Sequence, residues 1–315
     1  MSKGKKIVVF GSYVTDLTSV SPKIPVPGQT VIGSSFMTGP GGKGSNQAVA
    51  ANRCGADVTM VTKVGKDAFG KLMTDFYKKE NMDTDYVFVD DKLPTGAALI
   101  MVSSETAQNL ITVIPGACQN ITPEEVEKCR PLIKDAAIIL FQMEINTDAL
   151  YAAIRMAHEM GVTVAFNPAP AAPIPDEIMA MIDVITPNET EAQILTGVEV
   201  KDTASARKAA EVFKTKGVKN VIITLGSMGA YAFDGEKDEL LGRLHVNAID
   251  STGAGDAFNG GFVTALSRGM DIFTALRYSN CVGALSVTKK GTAPAMPYEA
   301  EVDEMFRKSY GGEKE

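Results

Sequence analysis

Apolar and polar positions alternate along this chain in two rhythms. Short runs rich in β-branched residues predict strands at residues 6–11, 58–64, 137–141, 162–167, 184–186 and 221–224. Between them, apolar positions recur at helical spacing over 45–54, 68–81, 123–132, 147–160, 189–195 and 204–216. Runs such as AAIILF and VIITL are apolar on both faces, which suits a parallel sheet covered on two sides. Strands and helices in strict alternation predict a doubly wound α/β fold.

Two stretches break the rhythm. Residues 16–40 carry a strand pattern with PVPGQT and GSSFMTGPGG turns and no helix. Residues 95–115 read as a hairpin, GAALIMVSS and LITVIP around a polar ETAQN turn. They predict a small β-sheet outside the main layer, either a lid over a site or an extension of the sheet edge. The expected division is an α/β core of residues 1–15, 41–95 and 114–315, with 16–40 and 96–113 as the lid. The tail 311–315 is expected to fray.

Composition narrows the field. Of 315 residues, 45% are hydrophobic, enough for a sizeable core, and 22% are charged, as in ordinary globular chains. The net charge of −7 argues against an electrostatic nucleic-acid footprint, so no nucleic-acid partner is expected. Cys54, Cys118, Cys129 and Cys281 are far apart with no CxxC pair, which predicts free thiols rather than zinc or disulfides. The first residues lack an apolar signal core, and no run approaches membrane-spanning length. A cytoplasmic protein with no membrane partner is the expectation.

Five motifs carry candidate chemistry. Residues 39–46, GPGGKGSN, precede the helical pattern QAVAANRCGA. Clustered glycines allow close backbone approach, and the helix start offers unpaired N–H groups. Lys43 and Asn46 add side-chain donors. A nucleotide P-loop is disfavoured, because glycine follows Lys43 where that motif needs Ser or Thr; a plain glycine-rich turn is the alternative. Residues 250–260, DSTGAGDAFNG, follow a strand-like LHVNAI and open a helix expected to run to about Arg268. Amides of Gly253, Ala254 and Gly255 at a helix start form an anion hole, and Asp256 in the first turn supplies a proton acceptor. Together they suit phosphoryl transfer to an alcohol; an aspartate present only for the helix dipole is the bland alternative. In TPNETE, Asn188 and Glu191 have capping-box spacing, and the same pair could serve as oxygen groups near metal-bound phosphates. TLGSMG, residues 224–229, could track a nucleotide or be a simple β-turn. GSYVTD, residues 11–16, ends the first strand, where ligands collect in open α/β sheets. There Asp16 could accept from two sugar hydroxyls or act as a turn aspartate.

GGKGSNQA, TPNETEA and DSTGAGDAFNGG, in this order and spacing, resemble the ribokinase (PfkB-type) carbohydrate kinase family over almost the whole chain. Within it, GSYVTD, PTGAALI, FNPAPA and VTKKGTAPAMP are most similar to its ribose-phosphorylating members. The resemblance implies a three-layer α/β/α sandwich with a mostly parallel central sheet and a β-sheet lid that also forms a homodimer interface. It implies transfer from ATP to the 5-hydroxyl of D-ribose, with Asp256 as base and Gly253, Ala254 and Gly255 as the anion hole. Asp16, Gly42, Lys43, Asn46 and Glu144 would hold the sugar, with Val14, Thr15, Gly44 and Ser45 lining the same region. Asn188 and the loop Thr224, Leu225, Gly226, Ser227, Met228 and Gly229 would contact ATP, with Gly255 beside the phosphates and Asn280 near the adenine. Glu191 would position Mg2+ through water. Asp250, Thr252, Ser286, Lys289, Gly291 and Ala295 would hold an activating K+, several through carbonyls.

Two positions depart from the pattern. Val14 stands where bacterial ribokinases tend to carry Asn, and Pro40 stiffens a loop that more usually reads Phe-Gly-Gly. Both bear on the acceptor: deoxyribose, fructose, 2-keto-3-deoxygluconate and a nucleoside such as adenosine are the rivals, and small residues at Ser45 and Ala98 would favour a larger one. A Rossmann oxidoreductase is disfavoured because GAGDAFNGG lies near the end of the chain rather than in the first βα turn. A silent sugar binder would not need a proton acceptor beside an anion hole.

Overall fold

The computed structural model describes residues 4–106 and 108–311. Residue 107, within the expected ETAQN turn, and residues 312–315 of the expected frayed tail lie outside them. In chain order the elements are β1 (Ile7–Phe10), β2 (Val14–Ser21), β3 (Ser35–Gly41), α1 (Lys43–Arg53), β4 (Val58–Gly65), α2 (Ala68–Lys79), β5 (Val87–Asp90), β6 (Thr95–Ser103) and β7 (Asn109–Gly116). Then follow α3 (Pro123–Lys128), α4 (Arg130–Asp135), β8 (Ile138–Phe141), α5 (Thr147–Glu159), β9 (Thr163–Phe166), α6 (Asp176–Met179), β10 (Val184–Ile185), α7 (Glu189–Thr196) and α8 (Thr203–Thr215). The last are β11 (Asn220–Thr224), β12 (Ala230–Phe233), β13 (Asp238–Leu241), α9 (Ala254–Ser267), α10 (Ile272–Ser286) and α11 (Glu299–Tyr310).

The large sheet has nine strands in the order β13-β12-β11-β10-β9-β8-β1-β4-β5. All pairings are parallel except those of the β11–β12–β13 edge. Strand alternation splits the core in two. Ile7 and Val9 of β1, with Ile138 and Leu140 of β8, face α1, α2, α9, α10 and α11. Val8 and Phe10, with Ile139 and Phe141, face the layer of α3 to α8. That is the doubly wound sandwich the sequence predicts.

The two stretches that break the rhythm form a separate four-stranded sheet, β3-β2-β6-β7. Its β2–β6 pairing is parallel, and its other two are antiparallel. A parallel pair needs a long crossover; here β4, α2 and β5 of the main layer supply it. The small sheet exposes large apolar side chains on both faces, Phe36 and Leu99 on one and Met37, Ile111 and Val113 on the other.

Two expectations need correction. LHVNAI is not a strand. Leu244 and Val246 are half-buried and their neighbours exposed, which gives the alternation, but the segment pairs with no strand beyond the β13 edge. The single helix expected over 123–132 is two, α3 and α4, divided at Cys129. Pro131 sits in the first turn of α4, where its missing N–H costs nothing. The sequence reading also passed over β5, the β12–β13 hairpin, α6, α10 and α11.

Candidate active site

The motifs converge at the carboxyl ends of the parallel strands, where open α/β sheets bind ligands. Beyond β1 come Ser12 and Val14, beyond β8 Gln142 and Glu144, beyond β9 Asn167, and beyond β10 Thr186 and Asn188.

Asp256 sits in the first turn of α9, 8% exposed. Its Oδ2 accepts from Asn46 Nδ2 at 2.9 Å and its Oδ1 from Gln47 Nε2 at 2.9 Å. Burial pushes its pKa up, while Lys43 and these two amides pull it back. Such a carboxylate is a better proton acceptor than an exposed one. α9 starts behind Gly253, whose φ of 78° suits glycine. Of the three residues expected to form the anion hole, Ala254 donates its N–H to the Ser251 carbonyl at 3.2 Å.

One flank of Asp256 opens into a cavity of about 690 Å³. Lys43, Asn188, Glu191, Thr224, Gly226, Ser227, Gly229, Asn280 and the Gly253 to Asp256 turn line it, together with Arg243 and with Leu244, His245 and Val246 of LHVNAI. Leu225 and Met228 of the expected nucleotide loop do not: Leu225 is in the core and Met228 is outside the cavity. The Asn188–Glu191 capping box forms in full, Asn188 Oδ1 accepting from the Glu191 N–H at 2.8 Å and Glu191 Oε2 from the Asn188 N–H at 2.9 Å. Capping and cavity lining therefore coexist. Burial raises the Glu191 pKa against the opposing pull of the Asn188 N–H and Lys43. Asn280 lines the cavity, but its Nδ2 is committed to the Gly242 carbonyl and the Tyr310 hydroxyl.

Of the expected sugar residues, Lys43 lines this cavity, while Asp16, Gly42, Asn46 and Glu144 do not. Glu144 Oε2 accepts from Ser12 Oγ at 2.5 Å and from the Lys43 N–H at 3.0 Å. Asp16 Oδ2 accepts from Thr292 Oγ1 at 2.9 Å. Burial pushes the Asp16 pKa up to about 6 despite that hydrogen bond, with Asp256 and Glu144 adding to the rise. Burial opposes the Lys43 ammonium, yet the carboxylates of Asp256, Glu144 and Glu191 outweigh it and hold its pKa above the usual lysine value. Asn46 Oδ1 is buried without a hydrogen-bond partner among the described residues. Gly42 (φ 89°) admits no side chain, since a Cβ would lie 2.8 Å from the Val14 nitrogen, and at Gly44 it would lie 2.6 Å from that of Ser12. Two expected lining residues turn away: Thr15 Oγ1 lies 3.3 Å from the Tyr13 hydroxyl, and Ser45 Oγ accepts from the Tyr77 hydroxyl at 3.1 Å. Val14 is buried. Ser45 therefore does not widen the site.

Of the cation positions, Asp250 accepts from the Thr252 and Gly291 N–H groups, each at 3.0 Å. Those two bonds outweigh burial and lower its pKa. Ser286 and Ala295 are buried, and the Lys289 ammonium is turned to Glu301. Sequence reading missed Ser12, Gln47, Gln142, Asn167, Asn259 and Thr292. Gln47 falls within GGKGSNQA, where the sequence pattern shows only a helix start.

The pattern described as pfkB family carbohydrate kinase matches residues 4–299, and the chain belongs to that family. It is 40% identical over 302 residues to a ribokinase of Haemophilus influenzae, covering 96% of this chain and 98% of that one. It is 36% identical over 295 residues to a deoxyribokinase of Salmonella typhi, covering 92% and 95%. Among solved structures, Arabidopsis thaliana ribokinase complexed with ribose and ATP superposes with a TM-score of 0.89 at 30% identity, covering 96% of this chain and 99% of that one.

Proposed function

We propose that this chain transfers the γ-phosphoryl group of ATP to the 5-hydroxyl of D-ribose. The observation that carries the reading is Asp256, a buried carboxylate held by two amides with a nucleotide-sized cavity on one flank and sugar-type acceptors outside that cavity. The ribokinase relatives support ribose as acceptor. Asp256 takes the hydroxyl proton as the sugar oxygen bonds to the γ-phosphorus. The bond from that phosphorus to the β–γ bridging oxygen breaks, and ADP leaves. Little covalent help is needed; the site positions the reactants and spreads developing charge over the anion-hole amides and Lys43. Asp16 and Glu144 accept from sugar hydroxyls, and the orphaned Asn46 Oδ1 offers a third acceptor.

Asn188 and Glu191 suit a water-bridged magnesium, because one Glu191 oxygen already belongs to the cap. When bound, magnesium offsets the charge of the phosphates. Asp250, Thr252 and carbonyls of Ser286, Lys289, Gly291 and Ala295 would hold potassium. The donor set is all oxygen and the nearby ammonium points elsewhere. When bound, the ion would add positive charge beside the anion hole. The small sheet, residues 16–40 and 96–113, serves as lid, and its exposed apolar side chains support a homodimer. Four free buried cysteines support a cytoplasmic setting.

A second reading, transfer to 2-deoxyribose, rests on Val14, a buried apolar side chain that offers a sugar hydroxyl no hydrogen bond. The test is ADP release with ribose, 2-deoxyribose, fructose or adenosine, each with and without potassium. Ribose-dependent turnover is expected. Turnover with 2-deoxyribose alone would favour the second reading, and turnover with none would overturn both.

A further inference from the structure

Gln47 is fully buried one residue beyond Asn46 in α1, so it is shielded from bulk solvent. Its Nε2 donates to Asp256 Oδ1 at 2.9 Å and to Asn167 Oδ1 at 3.1 Å. Its Oε1 accepts from Gln142 Nε2 at 2.7 Å. Asn167 Nδ2 donates to the Thr186 carbonyl at 2.8 Å, and Thr186 Oγ1 donates to Asn259 Oδ1 at 2.5 Å. Asn259 Nδ2 then donates to the Gly255 carbonyl at 2.8 Å. The chain of amides thus leaves Asp256 and returns to the residue that precedes it. On the way it passes the ends of β8, β9 and β10. Gln142 itself fits because Gly11 lacks a side chain: a Cβ there would stand 1.9 Å from Gln142 Oε1.

This network satisfies both ends of the Gln47 amide, which fixes which end faces Asp256. With Asn46 on Oδ2 and Gln47 on Oδ1, each carboxylate oxygen of Asp256 carries one donor. We propose that Gln47 is a positioning residue of the transfer reaction, holding the Asp256 carboxylate in the orientation from which it takes the sugar proton and tying that orientation to the strand ends through Gln142 and Asn167. The inference rests on Asp256 being the base. Gln47 also supports the ionised form, since a donor to a carboxylate favours its charge, and burial pulls the other way. Loss of the donor leaves the desolvation in place and raises the pH at which the base loses its proton.

The test is the pH profile of kcat for wild type, Gln47→Leu, Gln47→Glu and Asp256→Asn, with ATP affinity measured by calorimetry as a check on folding. In Gln47→Leu, kcat should fall by about 10²-fold at neutral pH, as for a misplaced catalytic group. Its acid limb should move to higher pH by about one unit, with KM for ATP little changed. Gln47→Glu keeps the shape but sets a second carboxylate against Asp256, so its acid limb should move further in the same direction; it decides the matter if the leucine variant does not fold. An acid limb that stays put in a folded Gln47 variant, with Asp256→Asn inactive, overturns the role of Gln47 and leaves the base intact. Full activity in Asp256→Asn overturns the base reading itself, and with it this inference.

Discussion

Thr292 and Asp16 lie 276 positions apart, and the Thr292 hydroxyl donates to Asp16 Oδ2 at 2.9 Å while standing 3.2 Å from the Pro40 carbonyl. One side chain thus touches both β2 and β3 from the loop that carries Gly291 and Ala295. Asp16, with its pKa pushed up to about 6, changes charge just below neutrality. Its charged form, the one that accepts from two hydroxyls, is lost as pH falls through about 6. KM for ribose should rise about tenfold per pH unit below that point, with KM for ATP as the control. A flat ribose KM between pH 5 and 8 would remove Asp16 from the sugar site.

The same shift bears on stability. A carboxylate with a raised folded-state pKa holds its proton more tightly folded than unfolded. Stability therefore falls as pH rises from the ordinary aspartate value through about 6. Asp16→Asn should raise the Tm at pH 7, have little effect at pH 4, and weaken ribose turnover at both.

Asp256→Asn preserves shape and removes the proton acceptor. Turnover should fall by about 10³-fold or more, and calorimetry should find ATP affinity within a few-fold of wild type. Turnover within tenfold would sink the base assignment.

Gly260 sets the spacing of α9 against α1. A Cβ there would lie 2.5 Å from the Gln47 carbonyl and 2.6 Å from Ala50 Cβ. Gly260→Ala must push apart the helix bearing Asp256 and the helix bearing Asn46 and Gln47. A loss of about 1–3 kcal/mol of stability is expected, read by denaturant unfolding, with kcat falling more than either KM rises.

Asp250 holds the amides of Thr252 and Gly291 on either side of its carboxylate. Asp250→Ala should abolish any increase of turnover with added potassium while leaving residual potassium-independent activity. Potassium activation that persists would place the ion elsewhere.

Much of the core layer was legible because strand and helix periods differ and β1, β8 and β11 are apolar on both faces. The motif glycines also announced themselves, since residues such as Gly42 and Gly253 adopt backbone angles or close approaches that glycine allows. Contacts between distant segments were not legible. Nothing in GGKGSNQA says that Ser45 turns to Tyr77 while Gln47 turns to Asp256; the helix phase and the position of α9 decide that. LHVNAI misled because alternation records burial on one side, whether the burying surface is a sheet or the rim of a cavity.

The placement of β1 bears on how the chain is made. It leaves the ribosome before either of its neighbours, yet it sits mid-sheet, between partners that begin at Val58 and Ile138. Until Ile138 emerges, the growing chain carries one open apolar edge along IVVF. A nascent chain stalled before that point is the form most exposed to aggregation, and the form on which a cellular chaperone would act.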